Sequence, residues 1–340
     1  MKNKSKKFYF GLSYFIIFLL ISFLTPLIEK WFYKGPIKIK LNNDGKIIGS
    51  SPFSPKEIPP FGTDALGEPM VLNIIEGAKY TFLSVFSIAL VEVLLSILIA
   101  IVICRFAKPI QNLIIQFGEV FRFFPQAILC LLFFLPLFII GNENGFSLTK
   151  IVVIQCIFLV IINIPYTSLA FFNELQLLSK KDYVISSKLL GASFYQIAKT
   201  HFYLLARSRF LLLFLQSSTR LFWLITHLGF LSLFLGGSKT ILWDDSGKTS
   251  EMSLSNEWSG LIGLDFASNM IARQWIVLVP LAFVALSIFI LNLMMEEIEG
   301  AEPKQIVVKE VKQETITNSY EVRKESFTYA NPISCVNNDI

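Results

Sequence analysis

The chain has 340 residues, of which 54% are hydrophobic and 16% charged, with 33 phenylalanines and a mean hydropathy of +0.60. A soluble domain carries roughly a quarter charged residues, so this composition excludes an ordinary water-soluble globule and points to a membrane protein. The net charge of +5 is modest and its basic residues gather at loop ends, which reads as topology signals rather than a nucleic-acid footprint.

Apolar runs of about 20 residues, the length that crosses a bilayer core as a helix, recur along the chain. Met1–Lys7 carries four lysines and precedes the first run, residues 8–28. No small-residue cleavage site follows, so the run reads as an uncleaved span with its N-terminus inside. An outer loop, 29–79, comes next. Its prolines and glycines, as in PFSPKEIPPFGTDALGEPM, predict turns and extended backbone.

Span two is predicted at 80–104 and span three within 113–140. In the third, Glu119 and Arg122 are spaced to pair on one helix face, and Pro125 should kink or break the helix. A short outside loop, GNENG, has no Lys or Arg. Span four covers 151–172, span five 210–235 and span six 274–293, with a second outer loop at 236–273. Residues 296–340 are charged and poor in aromatics, as expected of a mostly disordered cytoplasmic tail. Lys180, Lys181, Lys188, Lys199, Arg207 and Arg209 all lie between spans four and five, which places that segment and both termini inside. The expected fold class is an all-α polytopic membrane protein with six transmembrane helices.

Residues 179–205 stand apart from the apolar runs. Ser179-Lys-Lys-Asp182 offers a capping-box start for a short helix, and Gly191 a place for it to stop. Ser193-x-x-Gln196 offers a second box. Two short helices joined at a glycine would form a compact knob on the membrane surface, placed to receive mechanical work from a partner.

Catalytic signatures are missing. GASFYQIAKT ends like a phosphate loop, but Ser193 and Ala198 stand where glycines belong. There is no G-x-S-x-G, no H-E-x-x-H and no paired-cysteine motif. Cys104, Cys130, Cys156 and Cys335 offer no disulfide framework, and His201 and His227 are too far apart in sequence for a zinc site. Neither a cofactor nor an enzymatic activity is expected.

Ionisable groups inside apolar spans are more informative, because charge there is costly. Gln216, Arg220, Trp223 and His227 share one face of span five, and Glu92 sits well inside span two. Two readings stand: the face lines a translocation pathway, or an Arg220–Glu92 ion pair locks two helices together.

Several stretches also match a known family. GTDALG, from Gly62 and Thr63 through Asp64 to Gly67, followed by GAKYTFL, resembles the outer loop and second-span entry of permease subunits in peptide-type ABC importers, the oligopeptide, dipeptide and nickel family. Pro165-Tyr166 and DYVISSKLLGAS…H resemble the inner end of span four and the family's cytoplasmic loop. EWSGLIG and the final span also match, in the family's order, over about residues 8–297.

The resemblance implies a type I importer permease without enzymatic activity of its own, in a bacterial cytoplasmic membrane. It would pair with a second permease, two ATP-binding subunits and an extracytoplasmic solute-binding lipoprotein. Asp182, Tyr183, Ser186, Ser187, Gly191, Ala192, Ser193 and His201 fall in its coupling loop. The chain departs from the family at Ile185-Ser186-Ser187, where Glu-Ala-Ala is usual, at Leu204 and at Glu68-Pro69. The alternative reading is a diverged permease-like regulator or scaffold that transports nothing itself.

Overall fold

Among the described residues, five helices are long and apolar enough to cross a membrane, or six if one sharply bent pair counts as a single span. The structure is a computed structural model that describes residues 6–32, 35–41, 47–143, 145–242, 249–253, 257–263 and 266–301. The chain divides into units Met1–Glu302 and Pro303–Ile340, and the second, with most of the expected tail, lies outside the described residues.

Helix α1, Lys6–Phe32, leads through a hairpin of β1, Ile39–Leu41, and β2, Ile47–Ser50, to α2, Met70–Ile103. Helices α3, Lys108–Phe123, and α4, Gln126–Glu143, are the two halves of predicted span three. Helix α5 is Leu148–Ser179, α6 Asp182–Leu189 and α7 Phe194–Ile197. One turn of π-helix, Ala198–Phe202, joins α7 to α8, Tyr203–Phe230. A second hairpin, β3 at Ser238–Leu242 and β4 at Thr249–Ser253, precedes α9, Trp258–Gly263, α10, Phe266–Ala272, and α11, Trp275–Ala301.

The helices outrun their apolar stretches wherever polar partners satisfy their ends. Helix α2 begins at Met70 rather than near 80, with Pro69 at its N-cap, where a missing N–H costs nothing. Helix α11 continues to Ala301, so 296–301 belongs to that helix rather than to a tail. The reason is mutual capping. The Glu297 carboxylate accepts the free N–H of Phe8 at 2.7 Å, and Lys7 pairs with Glu296 at 3.7 Å.

Pro125 breaks the third span as expected. It forces Phe124 into extended backbone (φ −83°, ψ 127°), and the helix axes on either side meet at 77°. The proposed Glu119–Arg122 pair involves a side chain outside the described residues. Helix α3 is amphipathic: Ile110, Leu113, Phe117 and Val120 form an exposed apolar stripe.

The largest departure concerns the second outer loop. Its segment EWSGLIG is not a surface loop; α9 is buried from Trp258 to Gly263. Burial is tolerable because the polar groups are met. Trp258 donates from Nε1 to the Ile74 carbonyl at 2.8 Å, and its backbone N–H donates to Thr81 Oγ1 at 3.0 Å. Rings from three helices, Phe18 of α1, Phe82 of α2 and Phe283 of α11, close around Trp258, with Phe82 5.1 Å from it and 5.2 Å from Phe15.

Helices α8 and α9 touch through glycines. A Cβ on Gly263 would stand 2.1 Å from the Gly229 carbonyl oxygen, and one on Gly229 2.4 Å from that of Ser259. Both contacts are with backbone, which cannot yield cheaply, so Gly263→Ala should cost about 1–3 kcal/mol through overpacking. Thermal melting of the detergent-solubilised chain should show a lowered midpoint for Gly263→Ala. Gly300→Ala, where a Cβ meets nothing within 4 Å, should match the parent. Equal midpoints for the two variants would contradict the crossing.

Candidate functional site

The most demanding group in the bundle is Glu92, fully buried on α2. One carboxylate oxygen accepts from Thr167 Oγ1 on α5 at 2.5 Å and from Arg220 Nη2 on α8 at 2.9 Å. The other oxygen accepts from the Ser217 hydroxyl. Arg220 Nη2 also donates to Thr167 Oγ1 at 2.5 Å, and its guanidinium lies 4.1 Å from the centre of the Tyr166 ring. Three helices thus meet at one charge pair. The expected Arg220–Glu92 contact is present, and it is held by two hydroxyl groups that the sequence reading passed over. Ser217 lies one turn before Arg220, and Thr167 follows the Pro165-Tyr166 pair, so hydroxyl spacing along the helices was the available signal.

The same stretch of α8 also borders a cavity. Arg220, Trp223 and His227 line an open cavity of about 420 Å³, whose opposite wall is the α3–α4 break at Phe121, Pro125 and Gln126. Gln216 is half-buried and lies outside that cavity. Arg220 therefore has two faces, one pairing inward with Glu92 and one on the cavity. Its Nε–H is buried without an acceptor among the described residues.

A second cluster forms the knob. Helix α6 begins with Asp182 and carries Lys188 in its last turn, both complementing its dipole. It stops at Gly191, whose φ of +86° requires glycine. The Ala192 N–H bonds to the Ser187 carbonyl and the Gly191 N–H to the Lys188 carbonyl, each at 3.0 Å, which is the Schellman pairing. Ser193 then caps α7 with the expected box: its N–H donates to Gln196 Oε1 at 2.7 Å, and Gln196 N–H donates to Ser193 Oγ at 3.4 Å.

The first box is a correction. Ser179 ends α5, its hydroxyl donating to the Gln176 carbonyl, and α6 has Lys181 at its N-cap without a side-chain bond. The ladder of α5 runs on past its apolar residues and absorbs Ser179. The second short helix is not free-standing either. It continues through the π turn into α8, giving one helix from Phe194 to Phe230.

Within the knob, His201 sits in the π turn with Nε2 3.3 Å from Ser187 Oγ and its ring 5.4 Å from that of Tyr183. Ser187 Oγ itself donates to the Tyr183 carbonyl at 2.8 Å, which leaves it as acceptor for His201. Tyr183, Ser187 and His201 thus tie α6 to the foot of α8, while Ser186 lends its carbonyl to Leu190. Buried Val184, Ile197 and Phe202 anchor the knob on Phe171, Phe172 and Leu175. Outward it presents Leu189 and Leu190, 83% and 89% exposed.

The outer-loop motif is a folded turn. Asp64 Oδ1 accepts from the N–H groups of Leu66 at 2.9 Å and Glu68 at 2.8 Å, and Oδ2 accepts from Asn73 Nδ2 at 2.9 Å. Thr63 bonds Phe53 through its Oγ1 and its N–H. Gly62 and Gly67 supply φ of +76° and +85° against backbone atoms that a Cβ would strike. Glu68, where the resemblance leads one to expect arginine, faces Asp64 as a like charge.

Gln155 was not singled out in the sequence, and Glu257 entered only as the first residue of EWSGLIG, without a role. Gln155 and Glu257, both buried, close the exit from α8: Gly236 N–H donates to Gln155 Oε1 at 2.8 Å, and Leu235 N–H to Glu257 Oε1 at 2.9 Å. No group of three or more His, Cys, Asp or Glu able to hold a metal occurs among the described residues. No protein-family model and no curated protein matches the chain.

Two tests follow from these clusters. Removing one member of the buried pair strands the other, which costs roughly 3–5 kcal/mol, whereas replacing both with apolar groups is often neutral. Glu92→Leu and Arg220→Leu should each sharply reduce folded protein in detergent, and the double variant should recover most of it. Additive losses would show that the two charges are not coupled.

For Asp64, burial raises the carboxyl from 3.8 to about 6, against the opposing hydrogen bonds. A raised value means that the stability is present with the proton on, below pH about 4, and is lost as pH rises through about 6, by up to about 3 kcal/mol. Hydrogen exchange at residues 64–70, corrected for intrinsic rates, should show protection falling across that window in the parent. Asp64→Asn should show no such fall.

Proposed function

We propose that the chain is the membrane-spanning permease subunit of an ABC importer for oligopeptides or dipeptides. In this reading it sits in a bacterial cytoplasmic membrane with both termini inside. It encloses a pathway with a second, related permease, receives solute from an extracytoplasmic lipoprotein, and leaves ATP hydrolysis to two separate subunits. The observation that carries the reading is the knob. Exposed Leu189 and Leu190 stand at the tip of a helix whose end is locked by Gly191 and whose base is anchored in the core through Val184. An exposed leucine pair on a rigid stem suits insertion into a groove of a soluble partner.

The stem also suits force transmission. Helix α7 is continuous with α8, and α8 carries Arg220 against the cavity, so movement of the knob is movement of the cavity wall. Ser187, the last of the three residues that stand where the family usually has Glu-Ala-Ala, bonds to His201 and thereby stiffens the hairpin internally. Docking then rests on the leucine tip rather than on a carboxylate.

The direct test is Gly191→Pro. Proline cannot adopt φ of +86°, and it removes the N–H that bonds Lys188. Uptake of a labelled di- and oligopeptide mixture by cells carrying the full transporter should be lost, while the amount of chain in the membrane stays unchanged. Normal uptake would rule out the coupling role.

A further inference from the structure

A cavity of about 570 Å³ lies between α3 and the knob, and neither the Glu92 centre nor the leucine tip uses it. Three cations line it: Lys108 at the start of α3, Lys180 just after α5 and Lys188 in the last turn of α6. No carboxylate lines it, and among the described residues none of the three lysines forms an ion pair. The amide of Gln111, which also faces the cavity, is already engaged, donating to the carbonyls of Ile103, Cys104 and Phe106 at 3.2, 3.3 and 2.9 Å. It closes the end of α2 and brings no negative charge.

The floor is apolar, made by Phe172, Leu175, Phe194 and Phe202. The Arg105 guanidinium adds a fourth cation, 5.7 Å from the centre of the Phe194 ring. The exposed stripe of α3, with Leu113 69% and Phe117 68% accessible, lies on the helix face turned away from the cavity. Ammonium groups that line one cavity repel one another unless an anion sits among them. A soluble ion would satisfy the lysines but would gain nothing from the aromatic floor. A lipid satisfies both, because its phosphate is charged and its glycerol and acyl carbons are apolar. Basic pockets between helices at the membrane surface are suited to such head groups.

We propose that this cavity binds the head-group phosphate of an anionic phospholipid, held by Lys108, Lys180 and Lys188, with its glycerol and first acyl carbons over the aromatic floor. The bound phosphate would bridge α3, α5 and α6, so that the lipid fastens the knob to α3. Removing it leaves three like charges facing one cavity and loosens that attachment.

Native mass spectrometry of the full chain, delipidated and then offered equal phosphatidylglycerol and phosphatidylcholine, tests this. The parent should retain phosphatidylglycerol preferentially. Each lysine is worth about a fivefold change, so replacing Lys108, Lys180 and Lys188 together with Gln should cut that preference by at least roughly tenfold. Single Lys→Gln variants, matched to the parent in gel-filtration elution, should give graded losses, so a misfolded triple variant would not hide the effect. A control replacing Lys38, Lys40 and Lys56, at the opposite end of the bundle, should keep the preference. Equal retention of the two lipids, or full retention by the triple variant, would overturn the site. Displacement of the lipid by excess inorganic phosphate would overturn the lipid assignment and leave a soluble-anion site.

Discussion

A carboxylate with no access to water governs how this bundle is assembled. Glu92 is tolerable in the apolar interior only because Arg220, Thr167 and Ser217 converge on it. Those partners come from α5 and α8, so satisfying one charge sets the depth and rotation of three helices at once. The same requirement positions Arg220, whose other face is turned to the cavity with Trp223 and His227. A leucine pair in place of Glu92 and Arg220 would hold the helices together, but it would leave that cavity without the guanidinium.

The same demand, that every buried polar group find a partner, explains the rest of the architecture. Helix α9 can lie inside the bundle because Thr81 and Ile74 meet its polar atoms, and because Gly229 and Gly263 let the backbones touch. Gln155 and Glu257 close the broken end of α8, and Glu297 caps α1. At the opposite end from α9, the knob repeats the pattern on a smaller scale with a capping box, a Schellman turn and the Ser187–His201 contact. With its own hydrogen bonds met internally, the knob is free to expose leucines.

Much of this was legible because the signals are local. Apolar length revealed the spans, Pro125 its break, Gly191 and Ser193-x-x-Gln196 the turn in the knob, and Arg220 with Glu92 the buried pair. What was not legible depends on contacts distant in sequence. The ends of α2 and α11 are set by Pro69 and by Glu297 reaching Phe8, which hydropathy does not register. EWSGLIG reads as a loop because its burial depends on Ile74 and Thr81, far away in the chain. Ser179 looked like a cap, but a helix already running through that position claimed it first.

The central claim is that the knob docks on an ATP-hydrolysing partner and carries its motion into α8. A photo-crosslinking amino acid placed at Leu190, 89% exposed and remote from the hydrogen bonds that hold the hairpin, reports the contact directly in intact cells. The account predicts a covalent adduct with a soluble subunit bearing a P-loop, in a yield that changes with nucleotide. An adduct with lipid alone, or with a protein that has no nucleotide site, would contradict it.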